Sequence, residues 1–276
     1  MNSRTQAVFE AARAESRAAL IGYLPAGFPT RDASIALMGE MLAGGVDLVE
    51  VGLPYSDPLM DGAAIQDAVQ IALAEGTTTE DVLAVVESLA LRDEQAAVVM
   101  SYWNPIERFG LERFVDRMVA AGGSGVITPD LTPEEAGPWI AATDFAGIDR
   151  TFLVAPSSTD ARIEKVARAC TGFVYAASTM GVTGARDQVS SAAPALVARV
   201  RDRTKAPIGV GLGVSSSDQA AGIASYADGV IVGSAFVRRI LDADDIGAAR
   251  ASVRAFAEEL AEGVRRPVES IPAAAN

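Results

Sequence analysis

Two acidic residues, Glu50 and Asp61, have surroundings suited to acid–base chemistry. Glu50 interrupts an apolar, strand-like run at positions 48–53, Leu-Val-Glu-Val-Gly-Leu, and burying an unpaired carboxylate is costly. Asp61 follows a turn-rich segment that can bring it back over the end of that strand. Burial raises the pKa of a carboxyl group towards neutrality, where the group can hold and release a proton. The pattern predicts a desolvated acid and a loop acid that act together.

Each acid also has a purely structural explanation. Glu50 could be a buried carboxylate satisfied by a neighbouring hydroxyl or N–H group, and Asp61 could belong to an ordinary Asp-Gly turn. The chain has no histidine and a single cysteine, Cys170. Hydrolytic Ser-His-Asp triads and Cys/His zinc sites are therefore excluded, and we expect no metal site. Acid–base chemistry must fall to carboxylates, tyrosines or lysines.

A second group of candidates is rich in glycine and follows the last three predicted strands. The segments are Gly-Val-Thr-Gly-Ala-Arg at 181–186, Gly-Leu-Gly-Val-Ser at 211–215 and Gly-Ser-Ala at 233–235. Glycine lets backbone N–H groups approach an anion, and a following helix N-terminus adds its dipole. These loops predict a phosphate site, although glycine also serves tight turns that bind nothing.

The loop at 178–189 is long, polar and made of small residues. This composition fits a lid that excludes water from a bound substrate, and it fits a merely exposed loop as well. Four aromatic residues could line a pocket for an aromatic substrate or could pack in the core. They are Tyr23, Phe28, Tyr102 and Tyr175.

The charge of the chain limits its partners. The formal net charge is −13, so Coulomb repulsion opposes binding to nucleic acid or to an anionic membrane. The single cysteine rules out an internal disulfide, and neither a cleavable leader nor an apolar segment of about 20 residues is visible. We therefore expect a cytoplasmic protein that binds neither nucleic acid nor membrane.

These candidate residues must be positioned by alternating strands and helices. Eight short apolar runs predict buried strands at 19–23, 48–53, 97–100, 125–128, 152–155, 173–176, 208–211 and 229–233. Helix-like spacing of apolar residues falls between them at 33–42, 111–121, 163–169, 193–203 and 219–224. The segment Thr-Pro-Glu-Glu at 132–135 has the residues of a helix start.

This alternation predicts an α/β protein, a single (β/α)8 TIM barrel over residues 1–276, although a doubly wound sheet would alternate in a similar way. We expect an extra N-terminal helix within 1–18 to cap the barrel floor, and a disordered tail at 267–276. Active sites of such barrels lie at the carboxyl ends of the strands. Those ends carry Glu50, Tyr102, Asp130 and Tyr175.

Six segments, in this order along the chain, resemble the tryptophan synthase α-subunit family. They are Leu-Val-Glu-Val-Gly-Leu-Pro-Tyr-Ser-Asp-Pro-Leu-Met-Asp-Gly (48–62), Tyr-Trp-Asn-Pro (102–105), Thr-Pro-Asp-Leu (128–131), Phe-Leu-Val-Ala-Pro (152–156), Gly-Val-Thr-Gly-Ala-Arg (181–186) and Gly-Leu-Gly (211–213). The likeness extends over residues 20–237. The acidic motif at 48–62 is highly specific, whereas Gly233-Ser234 alone is found in many phosphate-binding barrels.

The resemblance implies a single barrel that cleaves indole-3-glycerol phosphate to indole and glyceraldehyde 3-phosphate by a retro-aldol reaction, without metal or cofactor. It implies that Glu50 is the general acid/base at ring carbon C3 and at the glycerol hydroxyl, and that Asp61 binds the ring N–H. The resemblance further implies substrate contacts from Tyr23, Tyr102, Tyr175 and Thr183. Thr183 would also seat the lid over Asp61. The implied phosphate ligands are Gly184, Gly213, Gly233 and Ser234.

The resemblance also implies a partner, a pyridoxal-phosphate-containing β subunit in an αββα heterotetramer that receives the indole. Segments 57–59 and 104–110 match those that face this partner. Two alternatives stay open: a stand-alone indole-releasing lyase, and a non-catalytic barrel that activates a β subunit. The chain departs from many relatives in reading Ser-Thr-Met-Gly at 178–181, without the usual Arg, and Leu212 in place of Phe. These departures concern lid closure and pocket fit.

Overall fold

The computed structural model describes residues 3–177, 192–211 and 213–266. In these ranges the chain forms nine short strands, each parallel to the strands that it pairs with. Their bounds are β1 Ala19–Pro25, β2 Leu48–Gly52, β3 Ala96–Met100, β4 Gly125–Ile127, β5 Asp149–Thr151, β6 Leu153–Val154, β7 Val174–Ala177, β8 Ile208–Gly211 and β9 Gly229–Val232.

The strands form a nearly closed barrel, as predicted. They follow the order β5-β4-β3-β2-β1-β9-β8-β7-β6, so the sheet ends at β5 on one side and at β6 on the other. A single residue, Phe152, separates these two strands along the chain, and its carbonyl oxygen accepts a hydrogen bond from the N–H of Tyr175 in β7. Strands β5 and β6 therefore occupy a single strand position of the barrel. Counted in this way, the barrel has the eight strand positions of a TIM barrel.

The eight predicted strands are confirmed, but the fifth begins earlier than expected. The run at 152–155 corresponds to β6, and the preceding strand β5, Asp-Arg-Thr, was missed because all three of its residues are polar. All three are nonetheless buried. Arg150 is accommodated by hydrogen bonds to the carbonyl of Ala169 and the hydroxyl of Thr143, and by an ion pair with Asp144.

Twelve helices surround the barrel within the described residues. They are α1 Arg4–Ala14, α2 Arg31–Ala43, α3 Ala63–Ala74, α4 Thr79–Ser88, α5 Trp103–Phe109, α6 Leu111–Ala120, α7 Gly137–Ala146, α8 Asp160–Ala169, α9 Ala192–Arg201, α10 Ser217–Ala224, α11 Ser234–Leu241 and α12 Ile246–Val264. The five helical stretches predicted from apolar spacing fall within or within two residues of α2, α6, α8, α9 and α10. None of these helices is long and apolar enough to cross a membrane.

The predicted N-terminal helix is α1, and it lies at the floor of the barrel. Val8, Phe9 and Ala12 pack among the side chains that fill the barrel interior. At the amino end of the strands, the hydroxyl of Thr5 donates to Ser124, which lies just before β4. The helix thus closes the end of the barrel opposite the expected active site. The expected disordered tail at 267–276 lies outside the described residues.

The predicted helix start at Thr132 was wrong. Residues 133–135 form a turn, and α7 begins at Gly137. The Thr132 hydroxyl donates to the carboxylate of Glu135, so a local side-chain contact closes the turn where a capping bond to a helical N–H was expected.

Alternate residues of the strands fill the barrel, and the intervening ones face the helices. Leu48 belongs to the interior cluster, whereas Val49 and Val51 belong to the core between strands and helices. Glu50 lies on the same face of β2 as Leu48, one step nearer the carboxyl end of the strand. Its side chain is therefore directed into the upper part of the barrel.

Candidate active site

Glu50 is a desolvated acid inside the barrel. The residue is 1 % exposed, and its Oε1 atom has no hydrogen-bond partner among the described residues. Burial raises the pKa of the carboxyl group to about 8, because water no longer solvates the charged form. At neutral pH most Glu50 side chains therefore carry a proton. A side chain that is protonated near neutrality and has an oxygen without a hydrogen-bond partner among the described residues can serve as a general acid.

Asp61 lies in the segment between β2 and α3, one residue before the N-cap Gly62. Burial raises the pKa of its carboxyl group to about 6. A hydrogen bond from Tyr102 lowers this pKa, but its effect is smaller than that of burial. Its backbone carbonyl accepts a bond from Nε2 of Gln66 at 2.8 Å, which joins this segment to the first turn of α3. At neutral pH the Asp61 side chain is mainly ionised, in contrast to Glu50.

The structure brings the two acids to one end of the barrel, where both act on Tyr23. Tyr23 in β1 is the register partner of Glu50 in β2. The pKa of the Tyr23 hydroxyl is raised well above its usual value, first by burial and then by the negative charges of Asp61 and Glu50. Both carboxyl groups therefore lie near this hydroxyl.

Tyr102 holds the loop that carries Asp61. Its hydroxyl oxygen accepts hydrogen bonds from the backbone N–H groups of Leu59 and Met60, at 3.1 and 2.9 Å. The hydroxyl also lies 3.4 Å from Oδ1 of Asp61, to which it donates. Tyr102 was predicted to contact the substrate. In the structure its hydroxyl group forms hydrogen bonds with Leu59, Met60 and Asp61.

Two glycines leave room for two tyrosines, a feature that the sequence prediction missed. A Cβ atom on Gly52 would lie 2.5 Å from the Tyr23 hydroxyl, and one on Gly211 would lie 2.5 Å from the Tyr175 hydroxyl. The pKa of Tyr175 is raised well above its usual value by burial and by the charge of Glu50. Glycine two residues after Glu50, on the same strand face, was the signal that could have indicated this close approach.

Two of the four predicted phosphate ligands lie at the start of α11, and a third, Gly213, follows β8, the strand that pairs with β9. Gly233 is the N-cap of this helix, and Ser234 is its first residue and is 6 % exposed. Gly213, after β8, has a φ angle of +66°, which favours glycine. The first N–H groups of a helix have no partner within the helix and attract anions. A Cβ atom on Gly233 would lie 3.3 Å from the ring of Tyr23, so the start of α11 lies beside the tyrosine on which both acids act.

Other predicted residues lie outside the described part of the chain or have a different role. Thr183, Gly184 and the predicted lid at 178–189 are not among the described residues. Asp130, expected at the barrel mouth, accepts hydrogen bonds from the N–H of Trp103 at 2.9 and 3.1 Å and so caps the start of α5. Phe28 is fully buried in the core, the alternative that its aromatic character left open.

The fold and site define a class, a TIM-barrel protein with a pair of desolvated carboxyl groups at the carboxyl ends of its strands. The family model for the tryptophan synthase alpha chain matches residues 9–265. The chain therefore belongs to the tryptophan synthase alpha chain family, whose members are enzymes of tryptophan synthesis.

Individual relatives support this assignment. The tryptophan synthase alpha chain of Thermobifida fusca is 61 % identical over 257 residues, which are 92 % of this chain and 95 % of the relative. That of Acidothermus cellulolyticus is 58 % identical over 254 residues, 92 % and 94 % of the two chains. Among solved structures, Mycobacterium tuberculosis tryptophan synthase matches with a TM-score of 0.90 at 52 % identity, and the match covers 97 % of this chain and all of the other.

Proposed function

We propose that this protein is a carbon–carbon lyase that cleaves indole-3-glycerol phosphate to indole and glyceraldehyde 3-phosphate. The observation that carries the proposal is the opposite ionisation of two neighbouring acids. With a pKa of about 8, Glu50 is mainly protonated at neutral pH, and with a pKa of about 6, Asp61 is mainly charged. One end of the barrel thus offers a proton donor and an anion.

The chemistry of the reaction needs both. An indole ring is a poor leaving carbanion, so ring carbon C3 must first be protonated, and Glu50 donates this proton. The ring nitrogen then carries positive charge, which the fixed carboxylate of Asp61 stabilises through a hydrogen bond from the N–H. The ionised Glu50 next takes the proton from the glycerol hydroxyl on the carbon bonded to C3. The carbon–carbon bond breaks, its electron pair returns to the ring, and an aldehyde is released.

The phosphate group of the substrate would bind at the loops after β8 and β9, beside Tyr23. Backbone N–H groups at Gly213, Gly233 and Ser234 would hold it, with the N-terminus of α11 contributing its dipole. Gly184 would complete the cradle, and Thr183 would hold the lid over Asp61. Tyr23 contacts Gly233 through its ring and approaches the acids through its hydroxyl, so it would lie along the substrate.

In this proposal the chain itself uses no cofactor, because Glu50 supplies the acid and the base and Asp61 stabilises the charge. Pyridoxal phosphate would belong to the β subunit. The chain would act in the cytoplasm as the α subunit of an αββα heterotetramer and pass indole to that partner.

The surface supports the expected partner face. Leu59 in segment 57–59 is 72 % exposed, and Tyr55 accepts a hydrogen bond from Asn104 at 2.8 Å, which ties this loop to segment 104–110. A groove of about 480 Å³ lies beside segment 104–110, and its lining includes Tyr55, Arg108 and Phe109. Exposed apolar side chains beside such a groove are typical of a protein interface.

A steady-state assay of indole formation, with and without a β subunit, tests the proposal. The wild-type chain should cleave indole-3-glycerol phosphate, and Glu50→Gln should abolish cleavage while keeping the fold and the binding of inorganic phosphate. Glu75→Gln, which changes an exposed acid, is the matched control and should keep the wild-type rate. Equal cleavage without partner would favour the stand-alone lyase, and no cleavage even with partner would favour the non-catalytic activator.

A further inference from the structure

The Tyr102 hydroxyl uses its full hydrogen-bonding capacity on one loop. A phenol hydroxyl has one proton and two lone pairs. The N–H groups of Leu59 and Met60 both point at its oxygen, so its proton is left for Oδ1 of Asp61. We call these three contacts the Tyr102 clasp. The partners are about 40 residues apart in the chain, so the clasp joins the end of β3 to the segment after β2.

Two further hydrogen bonds hold the ends of this loop: Asn104 donates to Tyr55 before it, and Gln66 donates to the carbonyl of Asp61 at its end. Between them, no residue from 56 to 60 is buried, and Leu59 is largely exposed. The hydroxyl of Ser56 donates to the neighbouring Asp57. A segment that buries no apolar side chain depends on its hydrogen bonds for a defined position.

We propose that Tyr102 is a positioning residue, which through the clasp sets where the Asp61 carboxylate stands against the ring N–H of the substrate. The inference rests on the proposed function. Since the clasp takes Oδ1, the other oxygen of Asp61 is left for the substrate. A misplacement of about 1 Å in a reacting geometry can cost about a hundredfold in rate.

The clasp also acts on the charge of Asp61. The charge of Asp61 acts on two titratable side chains, Tyr23 from β1 and Tyr102 after β3. Of these, Tyr102 is the one whose hydrogen bond lowers the pKa of Asp61, against the burial that raises it to about 6. Removal of the hydroxyl should therefore raise the pKa of Asp61 further and reduce its charged fraction.

The variant Tyr102→Phe tests this inference, since it removes a single oxygen atom. We expect kcat/KM for indole formation at pH 7 to fall about tenfold, and the acid limb of its pH profile to move up by about one pH unit. This shift of the acid limb accounts for only about a twofold loss of kcat/KM at pH 7. The rest of the tenfold loss would come from misplacement of the Asp61 carboxylate. The amide protons of Leu59 and Met60 should also exchange faster with solvent, a readout that does not depend on activity.

Tyr55→Phe is the matched control. It removes a phenol hydroxyl from a ring that packs 5.6 Å from the Tyr102 ring, but this hydroxyl binds Asn104 rather than Asp61. It should leave the acid limb and the exchange of the two amides as in the wild-type protein. A Tyr102→Phe protein with the wild-type acid limb and amide exchange would overturn the inference, and so would an equal shift in both variants.

Failure of this inference and failure of the proposed function are distinguishable. If the wild-type protein does not cleave indole-3-glycerol phosphate, the proposed function fails, and amide exchange still tests the clasp. If the wild-type protein cleaves the substrate and Tyr102→Phe behaves identically, only the positioning role fails.

Discussion

Glu50 should destabilise the fold at high pH, and its amide replacement should relieve this. The pKa of Glu50 rises from its ordinary value of 4.5 to about 8 because the side chain is buried. A carboxyl group with a raised pKa favours the folded state only while it is protonated. Its contribution is therefore full below pH 4.5 and is lost as the pH rises towards about 8.

The size of this loss follows from the two pKa values. The difference between 4.5 and about 8 corresponds to roughly 5 kcal/mol. Because water and local relaxation reach a buried charge in part, we expect about 3 to 5 kcal/mol. Glu50→Gln has nearly the same shape and no charge, so its free energy of unfolding should match that of the wild-type protein near pH 4.5 and exceed it by this amount near pH 9.

Urea unfolding of both proteins between about pH 5 and pH 9, followed by circular dichroism and tryptophan fluorescence together, measures the difference. Asp61 titrates in both proteins, so its effect cancels. The exposed Glu75→Gln serves as control and should show no pH-dependent gain. The difference in the free energy of unfolding between Glu50→Gln and wild type should change across this pH range. If it changes by less than about 1 kcal/mol, Glu50 is not desolvated and the reasoning is refuted.

Three further changes have defined outcomes. Asp61→Asn should lower kcat for indole formation by about a hundredfold or more, since an amide carries no charge to stabilise the cationic ring; a rate within a few fold of wild type would contradict its role. Gly52→Ala should displace the Tyr23 hydroxyl, which would lie 2.5 Å from the added Cβ atom. The free energy of unfolding, measured by heat or urea, should fall by about 1 to 3 kcal/mol. Unchanged stability and unchanged substrate affinity would show that Tyr23 moves aside without cost. Arg17→Met should destabilise the fold by about 3 kcal/mol, because Asp47 loses a two-armed ion pair at 2.7 and 2.9 Å in a half-buried site; a neutral effect in urea unfolding would show that Asp47 finds other partners.

Local patterns in the sequence were sufficient for most of the fold. Apolar runs of strand length alternate with helical spacing, and this alternation predicts the barrel because buried parallel strands require apolar residues on both faces. The same rule failed at Asp149–Thr151, where three polar residues form β5. Arg150 can be buried there because it donates hydrogen bonds to Ala169 and Thr143 in other elements, which no local pattern reveals. The predicted helix start at Thr132 failed because the Thr132 hydroxyl donates to the side chain of Glu135 in its own turn.

The sequence by itself determined that an acid lies inside a buried strand, because Glu50 stands in an otherwise apolar run; that its side chain is directed into the barrel was decided by the structure. The sequence also indicated the glycine positions around α11. Only the tertiary structure decided that Glu50 is protonated and Asp61 charged at neutral pH, that both acids act on Tyr23, and that Tyr102 holds the Asp61 loop. A pKa and a hydrogen bond depend on burial and on distances between residues far apart in the chain, and these quantities exist only once the barrel has closed.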